Sequence, residues 1–144
     1  MIMSLVTSGV SQARDSVLAD FVMHERQIGE ICILDLKGKI TCGEGSRALR
    51  EAIRHLVEEG RDRILLNFAR IGYADSSCIG ELVAGSTLVR RQGGQLKFVH
   101  LTPNLKALCG LMNLRSVFDV YDDEQVAISA FEDLWPSSVG VEML

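Results

Sequence analysis

Strands alternating with helices along 144 residues predict an α/β domain: a mixed, mostly parallel sheet of about five strands flanked by about four helices. Three observations carry that expectation. The unbroken apolar stretch Ile64-Leu65-Leu66 suits a central strand covered on both faces. The segments Phe21 to Arg26 and Ile31 to Leu36, separated by a turn at Gly29, have the pattern of an antiparallel hairpin. Apolar positions at helical spacing follow most of the later strands, with glycine stops behind them.

Taken in order, residues 1–20 mix small, polar and apolar types without a steady period and read as a loosely ordered extension. The hairpin follows. Thr41-Cys42-Gly43-Glu44 has the spacing of a capping box, in which a Thr hydroxyl and a Glu side chain satisfy each other's backbone donors at a helix start. The helix it opens should run to about Glu59 on the stripe Leu49, Ala52, Ile53 and Leu56, with Gly60 as left-handed cap. A strand over Arg63 to Phe68 leads to a helix from about Ser77 to Gln92, closed by Gly93-Gly94. Gln95 to Leu101 is the next strand. Thr102-Pro103 then reads as an N-cap followed by proline in the first helical position, opening a helix to about Met112. A short strand, Val117 to Val120, precedes a last helix whose first turn holds Asp122, Asp123 and Glu124, where the helix dipole favours acids. The domain should span residues 21–134, with 135–144 as a tail and Trp135 anchoring the last helix.

Composition excludes several functions. A net charge of −4 is wrong for a dedicated nucleic-acid binder. The dense basic clusters, Arg61/Arg63 and Arg90-Arg91, read as solvated helix-end charges. Cys32, Cys42, Cys78 and Cys109 form no C-x-x-C pair and the three histidines are scattered, so no metal or cofactor site is expected. The chain start has neither a basic n-region nor a long apolar stretch, and no run reaches membrane-spanning length. Reduced thiols in a cytoplasmic protein without membrane insertion are the expectation.

Chemistry concentrates at Tyr73-Ala74-Asp75-Ser76-Ser77-Cys78-Ile79-Gly80, a strand-to-helix corner. Backbone N–H groups at a helix start lack intrahelical partners and carry partial positive charge, so a phosphate placed there is accepted by hydrogen bonds and by the dipole. Asp and Ser are also preferred capping residues, which accounts for the same pair locally.

The wider pattern resembles the STAS-domain proteins of the bacterial anti-sigma factor antagonist type. It rests on Leu36-Lys37-Gly38-Lys39-Ile40, on Ile64-Leu65-Leu66-Asn67-Phe68 leading to Tyr73-Ala74-Asp75-Ser76-Ser77, on Gly80-Glu81-Leu82, on Gly93-Gly94, and on Phe118-Asp119-Val120-Tyr121. The resemblance implies a non-enzymatic binding module. Ser76, directly after the corner Asp, would be phosphorylated by a serine kinase that is also the anti-sigma factor. Asp75, Ser76, Ser77 and Cys78 would form the partner contact. The unmodified form would sequester the anti-sigma factor and free a sigma factor, and a serine phosphatase would reset the switch. Cys78 departs from the pattern, which generally has Gly there.

Two other readings compete. A non-switching STAS scaffold, serving a stress-signalling assembly or a membrane transporter, would share the fold. A hydrolase would pair Ser76 as nucleophile with His100 as base, but Ser76 lacks the flanking glycines of a nucleophile elbow. Ser77 is expected to cap the helix.

Overall fold

The computed structural model describes residues 16–17, 20–114 and 116–131. Its sheet has six strands in chain order: β1 (Ser16–Val17), β2 (Phe21–Ile28), β3 (Ile31–Ile40), β4 (Arg63–Ala74), β5 (Gln95–Val99) and β6 (Asp119–Tyr121). The first three strands are antiparallel neighbours, while β3 to β6 are parallel. The mixed, mostly parallel sheet expected from the sequence is therefore present, with β1 added at its edge. Of the expected extension, residues 16–17 pair with β2. The rest of that expectation, and the tail with Trp135, lies outside the described residues.

Helices α1 (Glu44–Glu58), α2 (Ser76–Arg91) and α3 (Pro103–Leu111) join the parallel strands. Each crossover steps one strand in the same direction, so all three helices lie on one face. There Leu49, Ile53 and Leu56 of α1, Ile79 and Leu82 of α2, and Leu105 of α3 pack with Ile64, Leu66 and Phe98 of the sheet. Each helix ends by the same device. A residue of positive φ follows the cap (Gly60, Gly93, Asn113), and the N–H after it returns to a carbonyl one turn back (Arg61 to Leu56, Gly94 to Val89, Leu114 to Cys109).

On the other face, Leu65 lies with Ile31, Ile33 and Val99 beneath α4, residues 124–131, which contributes Ala127, Ile128 and Phe131. Alternate residues of Ile64-Leu65-Leu66 thus enter different cores, as a central strand requires. Lys97 is 1% exposed in this second layer. Its ammonium lies 5.1 Å from the Phe131 ring centre and 3.3 Å from an Asp119 oxygen, which meets a buried charge by cation–π attraction and ion pairing. Glu124 fastens the start of α4 to Arg26 of β2 at 2.9 Å.

Three expectations need correction. β4 runs to Ala74 rather than stopping near Phe68, because its second half pairs with Lys37 to Ile40 of β3. The last strand begins at Asp119, since Phe118 is buried edge-on against Phe98 at 4.9 Å. Arg61 is not a solvated charge: it reaches the buried Glu25 carboxylate at 2.7 Å.

Gly38 is required twice over. Its φ is +105°, and a Cβ there would stand 2.1 Å from the Asp20 carbonyl oxygen, which accepts the Lys39 N–H at 2.7 Å. A side chain would break that contact.

Candidate functional site

β3 and β4 end in register, Ile40 beside Ala74, so α1 and α2 begin side by side at the carboxyl edge of the sheet, where ligand and partner sites of open α/β sheets gather. Asp75 is the pivot. Its extended backbone caps α2, and its Oδ1 accepts the Ser77 N–H at 2.9 Å. The Ser77 hydroxyl donates to the same oxygen. The other carboxylate oxygen accepts the Cys42 N–H at 3.4 Å from the β3–α1 loop. Ser77 hydroxyl donation holds the Asp75 carboxyl below the usual carboxylate range, with backbone donors reinforcing it against partial burial.

Ser76 occupies the first helical position of α2. It is exposed, and its side chain makes no hydrogen bond among the described residues. Its hydroxyl therefore stands at a helix start whose dipole favours a negative group. Around it lie the exposed Thr41, Cys42, Gly43 and Glu44, together with Tyr73, which is 50% exposed.

The corner rearranges two capping expectations. Asp75, not Ser77, is the cap of α2; Ser77 sits inside the first turn, where both its donors turn back to Asp75. Thr41 does not form a capping box. The N-cap of α1 is Gly43, with φ 111° and no side-chain cap bond. The Thr41 carbonyl instead accepts the Ser46 hydroxyl at 3.0 Å, and the chain needs the left-handed freedom of glycine to enter the helix afterwards.

Cys78 is wholly buried, so its side chain belongs to the core beneath α2 and is absent from the surface a partner would meet. Burial pushes its thiol up to about 12, with the Asp75 charge adding to the effect. Ser76 and His100 are not brought together. β5 ends in register with Asn67 while β4 runs on to Ala74, so His100 lies well back along the sheet. No hydrogen bond joins the two among the described residues, and His100 donates its N–H to the Tyr121 carbonyl at 3.1 Å.

Two residues of the corner escaped the sequence reading. Ser46 is 5% exposed and its hydroxyl lies 3.0 Å from that of Ser77. Its signal was available: it falls one turn before Leu49 on the apolar stripe of α1, where a polar residue needs a partner. Asn104 donates to the Ala74 carbonyl at 3.1 Å, drawing the start of α3 to the same edge. Nothing in its local pattern marks it.

Comparison with known proteins agrees with this fold. A family model described as "Mlab, STAS domain" matches residues 23–119. This chain belongs to the STAS-domain family. It is 36% identical over 73 residues to the anti-sigma-B factor antagonist of Bacillus subtilis (strain 168), an alignment covering 50% of this chain and 65% of that relative. Among solved structures, an anti-sigma factor antagonist from Mycobacterium paratuberculosis superposes with a TM-score of 0.70 at 17% identity, over 82% of this chain and 99% of the other. The Bacillus cell fate determinant SpoIIAA in its phosphorylated form gives 0.62 at 16% identity, over 75% and 98%. Both share the fold. Among the described residues, no helix is long and apolar enough to cross a membrane.

Proposed function

We propose that this protein is an anti-sigma factor antagonist: a cytoplasmic binding module that captures an anti-sigma factor through the Asp75–Ser77 corner and is switched off by phosphorylation of Ser76. The captured factor is also the serine kinase, capture frees a sigma factor, and a serine phosphatase returns the module to its binding state. The module catalyses nothing itself. The observation that carries this reading is the exposed Ser76 hydroxyl, without a side-chain partner among the described residues, at the start of α2. Likeness to the Bacillus subtilis antagonist supports the class of partner.

The switch follows from charge. A phosphate adds about −1.5 to −2 charges, which the start of α2 tolerates while the domain is free. Against a docked partner, the same charge beside the Asp75 carboxylate is desolvated and repelled, and each 1.4 kcal/mol of that penalty is about a tenfold loss of affinity. The domain need not refold to let go.

The test is recovery of the partner by pull-down, followed by phosphosite mapping after incubation with it and ATP. Modification at Ser76 supports the reading. Modification at Ser77 or Thr41 would reassign the site, and a partner that binds with no phosphorylation anywhere would favour a non-switching scaffold.

A further inference from the structure

The second face of the sheet holds a site unrelated to the corner. α4 covers this face over Ile31, Ile33, Leu65 and Val99. Beside that cover lies a hollow of about 390 Å³ lined by Val22, His24, Arg26, Leu36, Lys37 and Arg70, among others.

A break in the sheet ladder creates its charge. Asp35 opposes Asn67, but Lys37 opposes Arg70, so one extra residue of β4 is taken up between them. The Ala69 N–H donates instead to the Asn67 side-chain oxygen at 3.0 Å. In a regular ladder Ala69 would stand beside Lys37 and Arg70 would turn to the opposite face; the bulge turns Arg70 onto the face of Lys37. Both side chains are exposed, and neither forms an ion pair among the described residues. Like charges placed directly opposite on a sheet are destabilising. Nearby, Arg26 is already matched by Asp35 and by Glu124, and Asp35 also receives Asn67 at 2.8 Å. The local acids are thus committed, and Lys37 and Arg70 are surplus cations in a chain whose net charge is −4.

We propose that this hollow binds a small phosphate ester, with the phosphate between Lys37 and Arg70 and the organic body against Val22. Two adjacent cations match a phosphate dianion better than a single carboxylate, and the arginine fork adds bidentate geometry. The hollow's volume lies in the range of small-molecule sites, about 300–1,000 Å³, and its concave shape suits a compact ligand rather than an acidic protein surface.

Titration of the ¹⁵N-labelled full chain with phenyl phosphate tests this. The expected result is saturable shifts of the Val22, His24, Lys37 and Arg70 amides, with inorganic phosphate binding more weakly for want of a body. Lys37→Gln and Arg70→Gln should each weaken binding about tenfold, the loss of one charge-assisted hydrogen bond, while Arg91→Gln, outside the hollow, changes nothing. Without ligand, Lys37→Gln and Arg70→Gln should be at least as stable as the parent, since each removes a repulsion, and a given concentration of phenyl phosphate should raise the melting temperature of the parent more than that of either variant. Shifts confined to residues 75–78, or unchanged affinity in both variants, would overturn the proposal. So would failure to saturate together with loss of protein-partner binding in the variants, which would make this face an acidic-protein surface.

Discussion

The hydroxyls of Ser46 and Ser77 lie 3.0 Å apart, so the first turns of α1 and α2 meet through these two side chains at the edge where Ser76 is displayed. Ser77 also donates its hydroxyl and its N–H to Asp75. Ser76, one residue earlier, carries no such duties among the described residues. Adjacent serines thus divide the work, one holding the corner and the other free for chemistry. Ser77→Ala should therefore lower stability by about 1–2 kcal/mol through its lost side-chain bonds and leave phosphorylation of Ser76 intact. Denaturant melts and phosphosite mapping on the same variant check both halves.

Substitutions at Ser76 should act on binding and not on stability. Ser76→Ala keeps partner affinity and resists regulation. Ser76→Asp and Ser76→Glu weaken binding about tenfold, less than phosphorylation does, because one carboxylate carries only part of a phosphate's charge. Calorimetric titration against the purified partner reads the difference. Affinity equal to that of the unmodified protein would remove Ser76 from the interface.

The Asp75 carboxyl is held below its ordinary value, first by the Ser77 hydroxyl. A group whose folded pKa lies below the unfolded value of about 3.9 contributes stability that is present above that pH and is lost as pH falls through the folded pKa. The parent should therefore lose more stability than Asp75→Asn as pH drops from about 5 to 2. Urea midpoints for the two proteins across that range decide it.

Thiol chemistry should separate the four cysteines. Cys42 is exposed, whereas Cys32, Cys78 and Cys109 are buried, and burial raises the Cys78 pKa to about 12. Iodoacetamide at neutral pH should modify Cys42 rapidly and the other three only after denaturation. Fast labelling of Cys78 in the folded protein would contradict the packing beneath α2.

Glycines at two positions should respond in opposite directions. Gly38→Ala should destabilise by more than about 2 kcal/mol, since it meets both a strained φ and the Asp20 carbonyl. Gly80→Ala in α2 meets nothing within 4 Å and should stabilise by about 0.5–1 kcal/mol through helix propensity. Thermal melts of both variants provide the comparison.

Much of this protein was legible before any coordinates. Hydrophobic period and glycine stops located the hairpin, the parallel strands and the helices that join them, because those signals arise from residues adjacent in the chain. The same locality brought out the Asp75–Ser76 corner. Residues with distant partners were another matter. Whether Thr41, Gly43, Asp75 or Ser77 caps a helix depends on where β3 and β4 stop, and the contact of Ser46 with Ser77 exists only because those strands end in register. Cys78 looked available beside two serines, yet the turn of α2 carries it into the core. Arg70 faces Lys37 through a one-residue bulge, which no periodicity of β4 announces. Local preference selects each element's conformation, but sheet register is settled by the joint packing of several elements, and a side chain's neighbours follow from register.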